Sequence, residues 1–186
     1  RREISINEKL MNHNEVKSWI KSIQGKVSAY SFTGGEISIY ATDVFPYMDF
    51  VKKLNNKNKI VISTHGLNMK ALKLFKSNVD IVRIDIKGDD DFYSKELDIN
   101  GAFKRIKKTI DFFLNESKLL ELKVIIHDFT YKEDINRILL YFNEYLSSEQ
   151  ISFTFQILTN WGLADFKTKN LSESKKSYTV FINDST

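Results

Sequence analysis

There is no cysteine among the 186 residues, so disulfides, thiolate chemistry and cysteine-held metal clusters are excluded for this chain as given. Proline occurs once, so the chain is not a proline-rich linker or scaffold. No apolar run approaches the roughly 18 residues that a membrane-spanning helix needs. Arg1-Arg2-Glu3 has no apolar segment behind it, which argues against a signal peptide. A strong excess of one charge is also missing. The formal net charge is +4, and the lysines are spread along the chain instead of forming a block, so nucleic acid is not an implied partner. What is present is ordinary for one globular domain with a sizeable core: 42% hydrophobic and 28% charged residues. A cytoplasmic setting is the default expectation.

Helical and strand-like segments alternate. Helical patterns are expected over Asn14–Gln24 (capped by Asn12 or Asn14), Asp43–Leu54 with Pro46 in its first turn, Asn68–Lys76, Ala102–Ser117 and Lys132–Leu146. Strands are expected over Lys26–Thr33, Lys59–Thr64, Asp80–Lys87, Lys123–Asp128 and Ile151–Thr159, rich in Val and Ile as in sheets covered on both faces. This order predicts a parallel α/β sheet, either doubly wound or part of a barrel. Residues 1–163 would form the barrel domain, and 164–186 a polar tail with room for one short strand at Tyr178–Asn183.

In such folds the working groups sit at the carboxyl ends of the strands. Those ends read Thr33-Gly34-Gly35-Glu36, Ser63-Thr64-His65-Gly66, Asp85-Ile86-Lys87-Gly88, His127-Asp128 and Asn160-Trp161-Gly162. The adjacent glycines Gly34 and Gly35 allow a sharp turn and close approach of a ligand, with the Glu36 carboxylate beside them as an acceptor. Strand alternation puts Arg83, Asp85 and Lys87 on one face and Val82, Ile84 and Ile86 on the other. Three charges on an inward face need either an internal ion pair, Asp85 with Arg83 or Lys87, or a polar ligand. His65 and His127 lack acidic partners at metal-binding spacing, so no metal site is expected. The run Asp89-Asp90-Asp91 reads as a solvated loop, and Phe112, Phe113, Tyr141, Phe142 and Tyr145 mostly as core.

These strand ends together resemble the radical S-adenosylmethionine enzymes, and among them the activating enzymes of glycyl-radical proteins such as pyruvate formate-lyase. The resemblance runs from about Asn14 to Gly162. Gly34-Gly35-Glu36 is similar to the family's Gly-Gly-Glu, with Ile37 in place of the usual following proline. Ser63-Thr64-His65-Gly66 is similar to its Thr-Asn-Gly strand end, with histidine for asparagine. Asp85-Ile86-Lys87 is similar to its Asp-x-Lys segment, and the following Asp91-Phe92-Tyr93 and long helix fit that layout.

The resemblance implies a partial (βα)6 TIM-like barrel that binds S-adenosylmethionine. Gly34, Gly35 and Glu36 would meet the methionine ammonium. Asp85 and Lys87 would lie near the carboxylate, with Thr64 and His65 on the strand between. His127 and Asn160 would lie toward the nucleoside. With a 4Fe–4S cluster on a Cys-x3-Cys-x2-Cys motif, the family makes a 5′-deoxyadenosyl radical for hydrogen abstraction, using an electron donor and, in the activating enzymes, a glycyl-radical protein as substrate. The cysteine motif and the first barrel strand are not found here. The expectation is a fragment of such an enzyme, inactive as it stands and prone to self-association through an open sheet edge. The alternative is a cysteine-free, non-catalytic α/β binding module. An unrelated barrel enzyme for phosphorylated substrates would need a Gly-rich phosphate loop, and none follows the last strand.

Overall fold

The structure, a computed structural model, describes residues 12–126, 130 and 132–157. His127, Asp128, Asn160 and the tail from 164 onward, including Tyr178–Asn183, lie outside them. Five strands form one parallel sheet: β1 (Ala29–Phe32), β2 (Lys59–Thr64), β3 (Ile81–Ile86), β4 (Leu119–Ile126) and β5 (Ile151–Ile157). Their spatial order is their chain order. A doubly wound sheet reverses order at a switch point; this one winds in a single sense, as a barrel wall does. Among the described residues the sheet is not closed, and β1 and β5 lie at its edges.

Six helices connect and cover the strands: α1 (His13–Ser22), α2 (Ala41–Leu54), α3 (Met69–Leu72), α4 (Asp90–Glu96), α5 (Ala102–Asn115) and α6 (Lys132–Tyr141). Asn12 caps α1 in a reciprocal box with Glu15. On α5, Ala102, Phe103, Ile106, Thr109, Ile110 and Phe113 are buried at helical spacing. They face the apolar side of the sheet, where Ile60, Ile62, Val82, Ile84, Ile86, Leu122 and Val124 are fully buried.

The structure corrects several expectations. The sheet face away from the helices is mixed: half-buried Arg83 and Asp85 follow an apolar layer of Val61, Ile81 and Leu119, while Val82, Ile84 and Ile86 are buried on the other face. β4 begins at Leu119, four residues before the expected Lys123, because Leu120 and Leu122 reach the helix side in register with Val82 and Ile84. A 3-10 turn at Ile37–Tyr40 leads into α2 at Ala41, so Pro46 sits in the second turn and not the first. The acidic run is no solvated loop. Asp89 is buried; it accepts the Phe92 amide at 2.8 Å to cap α4 and pairs with Arg137 at 2.5 Å. Asp90 accepts the Phe103 amide at the start of α5. Two rings expected as core are not fully so: Tyr141 is exposed and Phe112 half-buried, while Phe113, Phe142 and Tyr145 are buried. Among the described residues no helix is long and apolar enough to cross a membrane.

Candidate functional site

The carboxyl ends of β1, β2 and β3 converge on one polar cluster. Past β1 the backbone turns through Gly34 and Gly35 at φ of 102° and 58°, values in which a Cβ is strained. Both glycines are exposed, with no atom within 4 Å of where a Cβ would sit. Their bare backbone therefore faces open space, where a ligand can lie against it.

Glu36 follows and points back over the sheet. Its Oε1 accepts the Thr64 hydroxyl at 2.5 Å and the Ser38 amide at 3.1 Å; its Oε2 accepts the His65 amide at 2.7 Å. One carboxylate thus caps the 3-10 turn and ties the end of β1 to the end of β2. Burial pulls the Glu36 carboxyl upward, and the bonds from Thr64, His65 and Ser38 outweigh it, leaving it below the usual glutamate value. A carboxylate has about four acceptor sites, and with the Ser38 hydroxyl also acting on it the Glu36 carboxyl is nearly filled. The His65 ring stands near it, with Nδ1 3.6 Å away, too far for a hydrogen bond.

His65 also senses β3. Burial, then the Lys87 charge, lower its imidazole below the ordinary value, against the pull of Glu36 and Asp85. The ring is neutral at pH 7. Both shifts have the same consequence for stability. A group with a depressed folded-state pKa stabilises the fold above its unfolded value and loses that contribution as pH falls toward its folded value. Stability is expected to decline from about pH 6.5 downward through His65 and again below about 4.5 through Glu36. Urea midpoints of the protein and of His65→Gln across that range check this: the upper step should vanish in the variant.

On β3, Asp85 does not pair with Arg83, which turns to Glu121 on β4 at 2.5 Å. Asp85 Oδ2 lies 3.8 Å from Lys87 Nζ, and its Oδ1 is buried with no partner among the described residues. Buried carboxylate oxygens are rarely left so, and a donor supplied by a ligand would satisfy this one.

Tyr93 positions the end of β3, a role the sequence did not show. It is buried on α4. Its hydroxyl accepts the Lys87 amide at 3.0 Å and donates to the Asp85 carbonyl at 3.4 Å. Burial pushes its pKa up to about 12, so it stays a donor. Tyr93 thereby holds the bend that carries both charges. Tyr93→Phe leaves the Lys87 amide without its acceptor and is expected to cost about 1–2 kcal/mol, read as a lowered urea midpoint at unchanged slope. No signal short of the fold reveals this, because the tyrosine lies past the strand on the next helix.

The structure therefore brings together Gly34, Gly35, Glu36, Thr64, His65, Asp85 and Lys87. His127 and Asn160 lie outside the described residues. No protein-family model matches the chain, and no curated protein matches it in sequence. Solved structures do match in fold. One is anSMEcpe with bound AdoMet: 16% identity, TM-score 0.61, covering 86% of this chain and 47% of that one. Another is SuiB of Streptococcus suis: 15% identity, TM-score 0.69, covering 96% of this chain and 42% of that one. The same SuiB bound to S-adenosylmethionine gives 18% identity and a TM-score of 0.67, covering 96% of this chain and 43% of that one.

The chain shares the fold of these structures. The chain spans less than half the length of these matched structures. The described residues form an open parallel α/β wall, with the polar cluster at its mouth, the carboxyl ends of its first three strands.

Proposed function

We propose that this mouth binds the methionine end of S-adenosylmethionine. The observation that carries the proposal is the convergence of Glu36, His65, Asp85 and Lys87 from three successive strand ends around a buried acceptor, Asp85 Oδ1, that has no partner among the described residues. The residues fit that group. The ammonium has the negative charge of Glu36 and the open backbone of Gly34 and Gly35. The carboxylate has Lys87, which Asp85 and Tyr93 hold in place. Thr64 spends its hydroxyl on Glu36, so it positions the carboxylate and does not touch the ligand. His127 and Asn160 are proposed toward the nucleoside from the sequence resemblance alone.

S-adenosylmethionine, when bound and reduced, supplies a carbon-centred radical for hydrogen abstraction, and we extend the proposal to that chemistry for the protein to which this wall belongs. The cluster that such chemistry uses does not fit this chain. There is no cysteine to ligate it, and no group of three or more His, Asp or Glu among the described residues is placed to hold a metal ion. Hydrogen abstraction from the glycine of a protein partner is proposed from the sequence resemblance of Asp85-Ile86-Lys87 alone.

Calorimetric titration with S-adenosylmethionine tests the binding. Saturable heat is expected, together with no 5′-deoxyadenosine after treatment with iron, sulfide and dithionite. Absence of any binding by a folded chain would sink the proposal and favour the cysteine-free binding module.

A further inference from the structure

The uncovered face of the sheet below the mouth carries charges that cofactor binding does not use. In register across the strands, one layer runs Ser63, Arg83, Glu121 and Ser152. The next layer toward the mouth runs Asp85, Lys123 and Thr154. Charged groups on a half-buried sheet face are costly unless neutralised. Glu121 has one donor on each oxygen: Oε2 takes Arg83 Nε at 2.5 Å and Oε1 takes the Thr154 hydroxyl at 3.1 Å.

The donors around Glu121 are not used up. Lys123 is half-buried, and its ammonium makes no ion pair or hydrogen bond among the described residues, although its register partner is Asp85. Asp85 leans to Lys87 instead. Arg83 spends only Nε, leaving both terminal nitrogens without a partner among the described residues. The Ser63 hydroxyl, beside Arg83 in register, likewise makes no hydrogen bond there. Ser63 and Arg83 are neighbours on one face, and Lys123, on β4, is the diagonal neighbour of Arg83, two residues nearer the mouth. Three donor groups thus share one patch, and Glu121, the carboxylate of the Arg83 layer, already has a donor on each oxygen.

We propose that Ser63, Arg83 and Lys123 form a subsite for an oxyanion, a carboxylate or phosphate carried by the substrate. Its place beside a reacting cofactor rests on the S-adenosylmethionine proposal; its ability to bind an anion does not. Ammonium and guanidinium donors make charge-assisted bonds to such groups, and a lysine point charge suits either oxyanion. The open face leads from this patch directly to the cluster at the mouth, so an anchored substrate would present its remaining atoms toward the cofactor.

Acetate and inorganic phosphate, titrated separately at low ionic strength and followed by the Arg83 Nε–H and backbone amide resonances, test the subsite. Saturable shifts centred on residues 63, 83 and 123 are expected, and the tighter ion identifies the class of oxyanion. Lys123→Met should weaken that binding by about tenfold or more, and Lys123→Arg should largely retain it. Both variants should bind S-adenosylmethionine like the parent, which also shows that they fold. Equal oxyanion affinity in the parent and Lys123→Met, or no saturable shift with either ion, would overturn the subsite. Oxyanion binding without S-adenosylmethionine binding would instead overturn the proposed function and leave the subsite standing.

Discussion

Glu36→Ala is expected to lower stability by about 3 kcal/mol and to reduce S-adenosylmethionine affinity by about 100-fold. The stability loss comes from three donors that lose one acceptor: the Thr64 hydroxyl, the His65 amide and the Ser38 amide. Thr64 is only 2% exposed, so water cannot readily replace the carboxylate there. For a chain of this size the loss corresponds to a fall of about 6–12 °C in the thermal midpoint. The affinity loss has a different origin, the missing negative charge opposite the ammonium. Glu36→Gln separates the two: its amide oxygen keeps an acceptor over β2, so most of the fold's stability should return, while the ammonium still lacks its counter-charge. Calorimetry and thermal melts on both variants check this. Unchanged affinity in Glu36→Gln would confine the residue to tying β1 to β2.

Gly88→Val is the second large effect, and it acts through space and not through backbone angle. Gly88 has no left-handed φ, unlike Gly34 and Gly35. What demands glycine is the Phe92 side chain: a Cβ on Gly88 would lie 2.5 Å from its Cγ and 2.7 Å from its Cβ. Contact with Cβ means that a rotation of the ring does not relieve the clash; the turn between β3 and α4 must move. Overpacking of this kind costs about 3 kcal/mol. The turn also carries the Lys87 amide bonded to Tyr93, so Lys87 should shift and S-adenosylmethionine affinity fall with stability. Combining Gly88→Val with Phe92→Ala should recover part of both losses, because the two residues are in contact. Strict additivity of the two substitutions would show that the clash is not the cause.

The fold was legible because its signals are local. Alternating Val and Ile segments, helical spacing and the strand-end polar runs located all five strands, with β2 matched residue for residue. Where the expectation erred, the deciding contact was distant in the chain. β4 extends back to Leu119 because β3 and β5 pair with it. Asp89 is buried because Arg137, far along the chain on α6, reaches it. The candidate site was legible residue by residue, from Gly34 to Lys87, as polar groups where strands end. Its connections were not.

Composition and residue order alone determined that no cysteine can hold a cluster here, that strand and helix alternate, and that Arg83, Asp85 and Lys87 share a face. These are properties of residue type and of the two-residue period of a strand. Only the tertiary structure decided that the sheet winds in chain order, that Glu36 is spent largely on Thr64 and His65, that Arg83 chooses Glu121 over Asp85, and that Tyr93 pins the bend at Lys87. Each depends on which groups lie within about 3 Å once the strands are in register, and that distance is set by packing between elements that the sequence keeps apart.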